Sequence, residues 1–176
     1  EGLRTLTPGY FALVMATGIV SDDQRDGSPL LSTVLLVVAS VTFVALLLLM
    51  AWRFAEYRSE LVADLTHPLR GFGFYTWVAA ANVLGSRIVD TLPTLTGILL
   101  AVSTLAWLAR GYAVPWTTRL GPRERPLLSA ANGSWFIWAV AAQSIAVAGA
   151  GLERVHPGDG LAFGALPGAP ASCRRD

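Results

Sequence analysis

Few polar side chains interrupt the apolar stretches of this chain, and those present are of types that hydrogen-bond or attract an anion. Asn82 and Gln143 carry amides inside long apolar segments, and Arg70 and Arg87 stand at the two ends of the segment that contains Asn82. An amide that faces lipid is costly, so both amides are expected to face protein or a water-filled path, where they can donate to a partly dehydrated anion. The alternative is a hydrogen bond between packed helices that has no part in transport.

Glycine and aromatic residues recur at one fixed spacing. Gly9, Gly71 and Gly133 lie 62 residues apart, and each opens an apolar segment with aromatic residues beside it. A repeat of this length fits a hairpin of two membrane helices, and repeated hairpins commonly surround a transport path. Glycine leaves room beside such a path, and phenylalanine can form an apolar constriction; the alternative is that the phenylalanines only fill gaps between helices. The predicted pore-lining residues are Gly9, Phe11, Phe72, Phe74, Asn82, Gly133, Phe136 and Gln143.

Five apolar segments approach or reach the roughly 20 helical residues that cross a hydrocarbon core about 30 Å thick. The second has no charge and lacks the polar face that a helix of a soluble protein needs. The sequence therefore predicts an all-α membrane protein of repeated helical hairpins, with helix one paired with two and three with four. The odd helices would form a concave face, and the even helices would face lipid. The predicted helices lie at about 6–20, 30–52, 71–89, 93–109 and 133–152.

The arginines predict how the chain is oriented in the membrane. Eight lie on the side of the N-terminus and of the connections at 53–70 and 110–131, and three lie on the opposite side. Because arginine-rich loops stay in the cytoplasm, the N-terminus and both connections are predicted to be cytoplasmic in a multi-pass protein of the cell membrane. Arg70 and Arg87 would give the rim of the path a positive potential that attracts anions. No acidic residue lies in the middle of a predicted helix, where proton-driven cation pumps often place one.

Composition excludes several other classes. Of the 176 residues, 53% are hydrophobic and only 14% are charged, against about a quarter in soluble domains. The net charge of +1 gives no reason to expect nucleic acid as a partner. His67 and His156 have no partners at metal-ligand spacing, and the single cysteine, Cys173, cannot form an internal disulfide. No catalytic constellation is recognised, so neither enzymatic activity, a metal nor a cofactor is expected.

The last part of the chain differs from the rest. Residues 153–176 contain several prolines and glycines and no apolar run that could span a bilayer, so this tail is predicted to be disordered after a helical domain at 1–152. Five helices leave the last one without its hairpin partner, and the first residue is Glu1. The chain is therefore expected to be an incomplete copy of a longer protein.

Three motifs carry a family resemblance. They are Thr7-Pro8-Gly9-Tyr10-Phe11 with its continuation to Ser21, His67-Pro68-Leu69-Arg70-Gly71 with its continuation to Gly85, and Asn132-Gly133-Ser134-Trp135-Phe136 with its continuation to Ser144. In this order and spacing they resemble the tellurite-resistance/dicarboxylate transporter family, which includes slow anion channels, sulfite efflux pumps and malate permeases.

The resemblance implies ten helices in five hairpins, of which this chain would hold the first half. It also implies a homotrimer with a pore in each subunit, lined by odd helices and conducting dicarboxylates, sulfite or chloride. The family's pore-blocking phenylalanine lies on the ninth helix, so no residue here inherits that role. The favoured function is transport of small anions across the lipid bilayer. The alternative is a non-conducting structural or sensory membrane subunit, and a continuous polar or glycine-lined face on the odd helices would distinguish the two.

Overall fold

The computed structural model describes residues 6–60, 64, 71–120 and 136–155, with the backbone alone at 72 and 112–120. These parts of the chain contain helices and no strand. Short 3-10 turns at Pro8–Tyr10 and Gly71–Gly73 precede the first and third helices. The helices are α1 (Phe11–Asp23), α2 (Pro29–Glu56), α3 (Phe74–Ile88), α4 (Pro93–Leu120) and α5 (Phe136–Val155).

Proline marks where several of these elements begin. Pro8 opens the first 3-10 turn, and Pro29 and Pro93 are the first residues of α2 and α4. A proline at this position loses no hydrogen bond, because the first amides of a helix have no partner within it, and its fixed φ suits the helix. The loops that precede α2 and α4 are short, at 24–28 and 89–92. Each of these loops connects the two helices of one hairpin.

The helices run further than their apolar stretches. The fourth was predicted to end at 109 and continues to Leu120, and α5 continues to Val155, into the tail predicted to start at 153. Residues 53–56 and 110–120, predicted to belong to connections, are likewise helical. The reason is that an apolar run marks only the part of a helix that lies in lipid, whereas backbone hydrogen bonds continue beyond it into the polar interface.

The fold is that of an all-α membrane protein, as predicted. In the described part of the chain, three helices are long and apolar enough to cross a bilayer: Pro29–Glu56, Pro93–Gly111 and Phe136–Val155. With 13 and 15 residues, α1 and α3 are shorter. Together with its 3-10 turn, each of the two extends roughly 25–29 Å, which is close to the thickness of the hydrocarbon core.

The third helix is the centre of the arrangement. It contacts α1, α4 and α5, while α2 packs mainly on α1. The predicted hairpins α1–α2 and α3–α4 are therefore present. One apolar cluster joins α1, α2 and α3, and a second joins α3, α4 and α5. The outer helices α2 and α4 leave most of their apolar surface exposed, which is the surface that a bilayer would cover.

Glycine lets α1 and α3 approach closely. A Cβ on Gly73 would lie 3.3 Å from the backbone nitrogen of Gly9, and one on Gly18 would lie 2.7 Å from Val83 Cγ1. Near the first contact, the Thr76 hydroxyl donates to the carbonyl oxygen of Pro8 at 2.8 Å. Small residues permit this kind of contact between helices in lipid. The two helices thus lie side by side from the 3-10 turn before α1 to the second half of α1.

Candidate functional site

A groove of about 260 Å³ lies among the three odd-numbered helices. Within the described part of the chain, α2 and α4 contribute nothing to its lining. Its walls are mostly aliphatic, with amides, hydroxyls and one pair of opposite charges between them. The lining residues are Met15, Ile19 and Asp22 from α1, Ala79, Asn82, Val83, Ser86 and Arg87 from α3, and Val140, Gln143, Ser144 and Val147 from α5.

Asn82 joins three helices at the wall of the groove. Its side-chain nitrogen donates to the carbonyl oxygen of Val78 at 2.9 Å and, at 3.5 Å, to the hydroxyl of Ser144 on α5. Its side-chain oxygen accepts a hydrogen bond of 3.1 Å from the hydroxyl of Ser103 on α4. Both N–H groups of the amide are therefore engaged. Asn82 can donate to a ligand only when the long bond to Ser144 opens.

Gln143 differs from Asn82 in its surroundings. Its side chain is exposed on the wall that α5 contributes. Among the residues that the structure describes, none forms a hydrogen bond with its amide. A terminal NH₂ carries two donors. Gln143 is thus the lining residue best placed to donate to an anion without first breaking a contact.

Arg87 lies at one end of the groove and is almost fully buried, with 6% of its side chain exposed. Its Nη2 donates to the hydroxyl oxygens of Ser32 at 2.8 Å and Ser21 at 3.4 Å. Each of those hydroxyls in turn donates to the other serine's carbonyl oxygen, at 2.6 and 2.7 Å. This reciprocal pair fixes the two acceptors, so one edge of the guanidinium is anchored to the α1–α2 hairpin.

The other N–H groups of the guanidinium have weaker hydrogen-bond partners or none that the structure describes. Nη1 lies 3.5 Å from Oδ1 of Asp22, whose side chain is 61% exposed. The buried Nε has no hydrogen-bond acceptor in the described ranges. A buried donor without an acceptor costs about 1–3 kcal/mol. The groove is therefore bordered by a positive charge whose hydrogen bonds are incomplete.

Further charges surround this end of the groove. Asp90 lies 3.8 Å from Nη2 of Arg25 and 3.7 Å from Nη2 of Arg154. Arg25 also donates, at 3.5 Å, to the carbonyl oxygen of Arg87. These contacts tie the α1–α2 loop, the α3–α4 loop and the end of α5 together. In the same segments, Asp23, Asp26 and Glu153 add further negative charge. Any attraction for an anion at this end therefore comes from the buried guanidinium of Arg87 and not from an excess of basic residues.

A sequence model of the voltage-dependent anion channel family matches residues 5–166, which include all five helices. The chain belongs to this family. A search of curated proteins finds no match. Family membership confirms the resemblance to the tellurite-resistance/dicarboxylate transporters. The family consists of channels and transporters for anions rather than of enzymes, so the chain is a membrane protein of an anion-transporting family.

The residues predicted to line the pore lie in different places. Asn82, Gln143 and Arg87 come together in the groove. Arg70 and Gly133 lie outside the described residues, as does the side chain of Phe72.

The remaining predicted pore residues do not line the groove. Phe11 is 2% exposed and packs edge-on against Phe43 of α2, with ring centroids 5.6 Å apart. The ring of Phe74 lies 5.0 Å from the guanidinium carbon of Arg110 on α4. Phe136 is 75% exposed at the start of α5. Gly9 supplies the backbone that approaches Gly73.

Several polar residues in and beside the groove were not predicted from the sequence. Ser21 and Ser32 anchor Arg87, Asp22 is its counterion, and Ser144 receives the hydrogen bond from Asn82. The repeat contained a signal for one of them, because Ser144 lies 62 residues after Asn82. No comparable signal marks Asp22, which looks like any acidic residue of a loop.

Proposed function

We propose that the groove among α1, α3 and α5 forms one wall of a path by which small anions cross the membrane. The observation that carries this proposal is the buried guanidinium of Arg87 at the end of a groove whose described lining comes from the odd helices. Burying a cation is costly, and its charge acts more strongly where protein rather than water surrounds it. A fixed positive charge here raises the local concentration of anions and repels cations.

The lining suits passage rather than tight binding. Gln143 offers donors that replace part of an anion's hydration shell, and Arg87 attracts the anion toward one end. The rest of the lining includes aliphatic side chains such as Met15, Val140 and Val147, which hold no anion. Conduction requires sites that are favourable enough to enter and weak enough to leave. A groove with few donors and one partly neutralised cation meets that requirement.

The finer assignments extend this proposal. We assign direct contact with the anion to Arg87, Gln143 and, when its bond to Ser144 opens, Asn82. Roles for Gly9, Phe11, Phe72, Phe74, Gly133, Phe136 and Arg70 stay predictions. The cargo class that the family resemblance implies is a C4-dicarboxylate, sulfite or chloride.

Anion flux through proteoliposomes tests the proposed function. Liposomes that contain the purified chain should release chloride, sulfite or malate faster than protein-free liposomes, and should not release potassium. Gln143→Leu should lower this flux roughly tenfold, because a hydrogen bond to a charged group contributes about 1.5–3 kcal/mol. Gln24→Leu is the matched control, since Gln24 lies in the turn after α1 and outside the groove. Equal flux in the two variants would exclude the proposed role of Gln143.

The second candidate is a non-conducting structural or sensory membrane subunit. It is favoured by the hydrogen bonds of Asn82, which join α3 to α4 and α5 and serve packing alone if nothing passes the groove. Under this alternative, no tested anion crosses the liposome membrane above background, although the protein is folded and inserted.

We also propose that the N-terminal side of the bundle faces the cytoplasm of a cell whose plasma membrane holds the protein. The excess of arginines on that side supports this orientation. In a Cys173→Ser background, Arg58→Cys should react with a membrane-impermeant thiol reagent only from inside, and Arg25→Cys only from outside. Labelling of position 58 in intact cells would reverse the orientation.

The family resemblance supports a homotrimer as the assembled form. A trimer would cover part of the exposed apolar surface of the bundle. The mass of the protein in detergent, measured by light scattering with the detergent subtracted, distinguishes three copies from one.

A further inference from the structure

The two edges of the Arg87 guanidinium are held very differently. Nη2 lies 2.8 Å from the Ser32 hydroxyl, an acceptor that is itself fixed by reciprocal hydrogen bonds with Ser21. Nη1 lies 3.5 Å from Oδ1 of Asp22, longer than the roughly 2.7–2.9 Å of a strong charge-assisted hydrogen bond. The hydroxyls therefore set where the guanidinium lies, and the carboxylate only neutralises it.

The two partners also differ in their freedom to move. The Arg87 side chain is enclosed by the α1–α2 hairpin, whereas most of the Asp22 side chain is exposed. Asp22 stands in the last turn of α1, where the partial negative charge of the helix end repels a carboxylate. With 61% of its side chain exposed, Asp22 can turn toward water. The cation is thus fixed and its counterion is exchangeable.

Among the residues that the structure describes, Asp22 and Arg87 are the charged side chains in the lining of the groove. In this described lining, an anion that moves along the groove meets the guanidinium of Arg87, and the carboxylate of Asp22 competes for it. Arg25 and Arg154 lie at the same end, where both contact Asp90.

We propose that Asp22 is a built-in counterion of Arg87 that a transported halide or small oxyanion displaces. This inference rests on the proposed function, since it names the binding contact of the anion in the same groove. In the empty state the carboxylate neutralises Arg87 at Nη1. An arriving anion takes its place, and the carboxylate swings into water. When the anion moves on, Asp22 returns.

Exchange of this kind keeps the buried guanidinium neutralised throughout. An arginine without Asp22 would hold the anion more firmly and release it more slowly. The aspartate therefore lowers the affinity of the site and favours turnover. This explains why an acidic residue lies in the wall of a groove that passes anions.

The test compares Asp22→Asn with Asp23→Asn. Asp23 is the adjacent aspartate; it accepts a hydrogen bond from Gln24 and is not part of the groove lining.

Sodium chloride is titrated at constant ionic strength, with sodium gluconate as the balance, and two quantities are measured: the thermal midpoint of the purified protein and the chloride flux of proteoliposomes. For Asp22→Asn, the half-saturating chloride concentration should fall roughly twofold to fivefold, the range set by a partly exposed ion pair. The flux at saturation should fall as well. Asp23→Asn should match the wild type in both.

Three outcomes are informative. If Asp22→Asn and Asp23→Asn have the same half-saturating concentration, or if Asp22→Asn binds chloride more weakly, the exchange is refuted while the anion path stands. If the wild type neither binds nor passes any anion, the proposed function fails and the exchange fails with it. Arg87→Gln should abolish the chloride dependence of the thermal midpoint. The comparison of the two aspartates remains decisive even if Arg87→Gln does not fold.

Discussion

A negative charge on the groove wall at Val140 is expected to suppress anion flux at least tenfold, whereas a positive charge there is not. Val140 lies on α5 in the lining of the groove, with 36% of its surface exposed. At an effective dielectric constant of about 20, a unit charge repels an anion roughly 8 Å away by about 2 kcal/mol, which corresponds to about a thirtyfold effect. The variants Val140→Glu and Val140→Arg should therefore differ strongly in chloride efflux from liposomes.

Comparing Val140→Glu with Val140→Arg distinguishes an electrostatic effect on the anion from damage to the fold. Both charged side chains are long and costly to bury, so a loss of folding affects them alike, and Val140→Gln reports the effect of polarity without charge. Each variant is compared at equal amounts of monodisperse protein. If Glu and Arg reduce efflux equally, and more than Gln does, the anions do not follow this groove.

Loss of the buried arginine at the end of α2 is expected to be the most destabilising single change at the predicted cytoplasmic side. The Arg53 side chain is 3% exposed, its Nη2 lies 2.6 Å from Oδ2 of Asp64, and its Nη1 donates to the carbonyl oxygen of Leu6 at 2.9 Å. Arg53→Met removes the cation that neutralises the largely buried Asp64. Removing one partner of a buried ion pair costs about 3–5 kcal/mol, so the thermal midpoint in detergent should drop sharply.

Two further variants are compared with Arg53→Met. Arg58→Met removes an exposed guanidinium that lies 5.3 Å from the centre of the Phe54 ring, a contact that contributes about 0.5–1 kcal/mol. The double variant Arg53→Met/Asp64→Leu should recover part of the loss, because a buried ion pair replaced by apolar residues is often tolerated. If Arg53→Met costs no more than Arg58→Met, the ion pair contributes little to stability.

The sequence predicts the helices and their hairpins well, for physical reasons. An uncharged run such as that of α2 has no stable position outside a bilayer, and a repeat of 62 residues allows only a few arrangements. The Gly- and Ala-rich character of α3 and α5 also indicates where helices approach closely. Helix ends are predicted less well, as at Leu120 of α4, because hydropathy records the lipid-buried part and not the end of hydrogen bonding.

The rotation of each helix about its own axis, and the burial of its charged side chains, are not predictable from this sequence. The first helix is apolar on every side, so nothing in it distinguishes the face that packs Phe11 against α2 from the face that turns Ile19 to the groove. An arginine near the end of a membrane helix is expected to extend into water. Arg87 stays buried because Ser21 and Ser32, far away in the sequence, supply its acceptors.

Among the described residues, two hydrogen bonds connect positions that are 62 apart: Asn82 with Ser144, and Arg25 with the carbonyl of Arg87. In each pair, a residue touches the residue that occupies the same place in the next copy of the repeat. Under a rotation that carries one hairpin onto the next, a point stays near its own image only when it lies near the axis of that rotation. Asn82 and Ser144 therefore lie toward the pseudo-symmetry axis of the bundle, and the concave side of α1, α3 and α5 faces it. A helix pair added to α5 by the same rotation would extend the bundle around that axis.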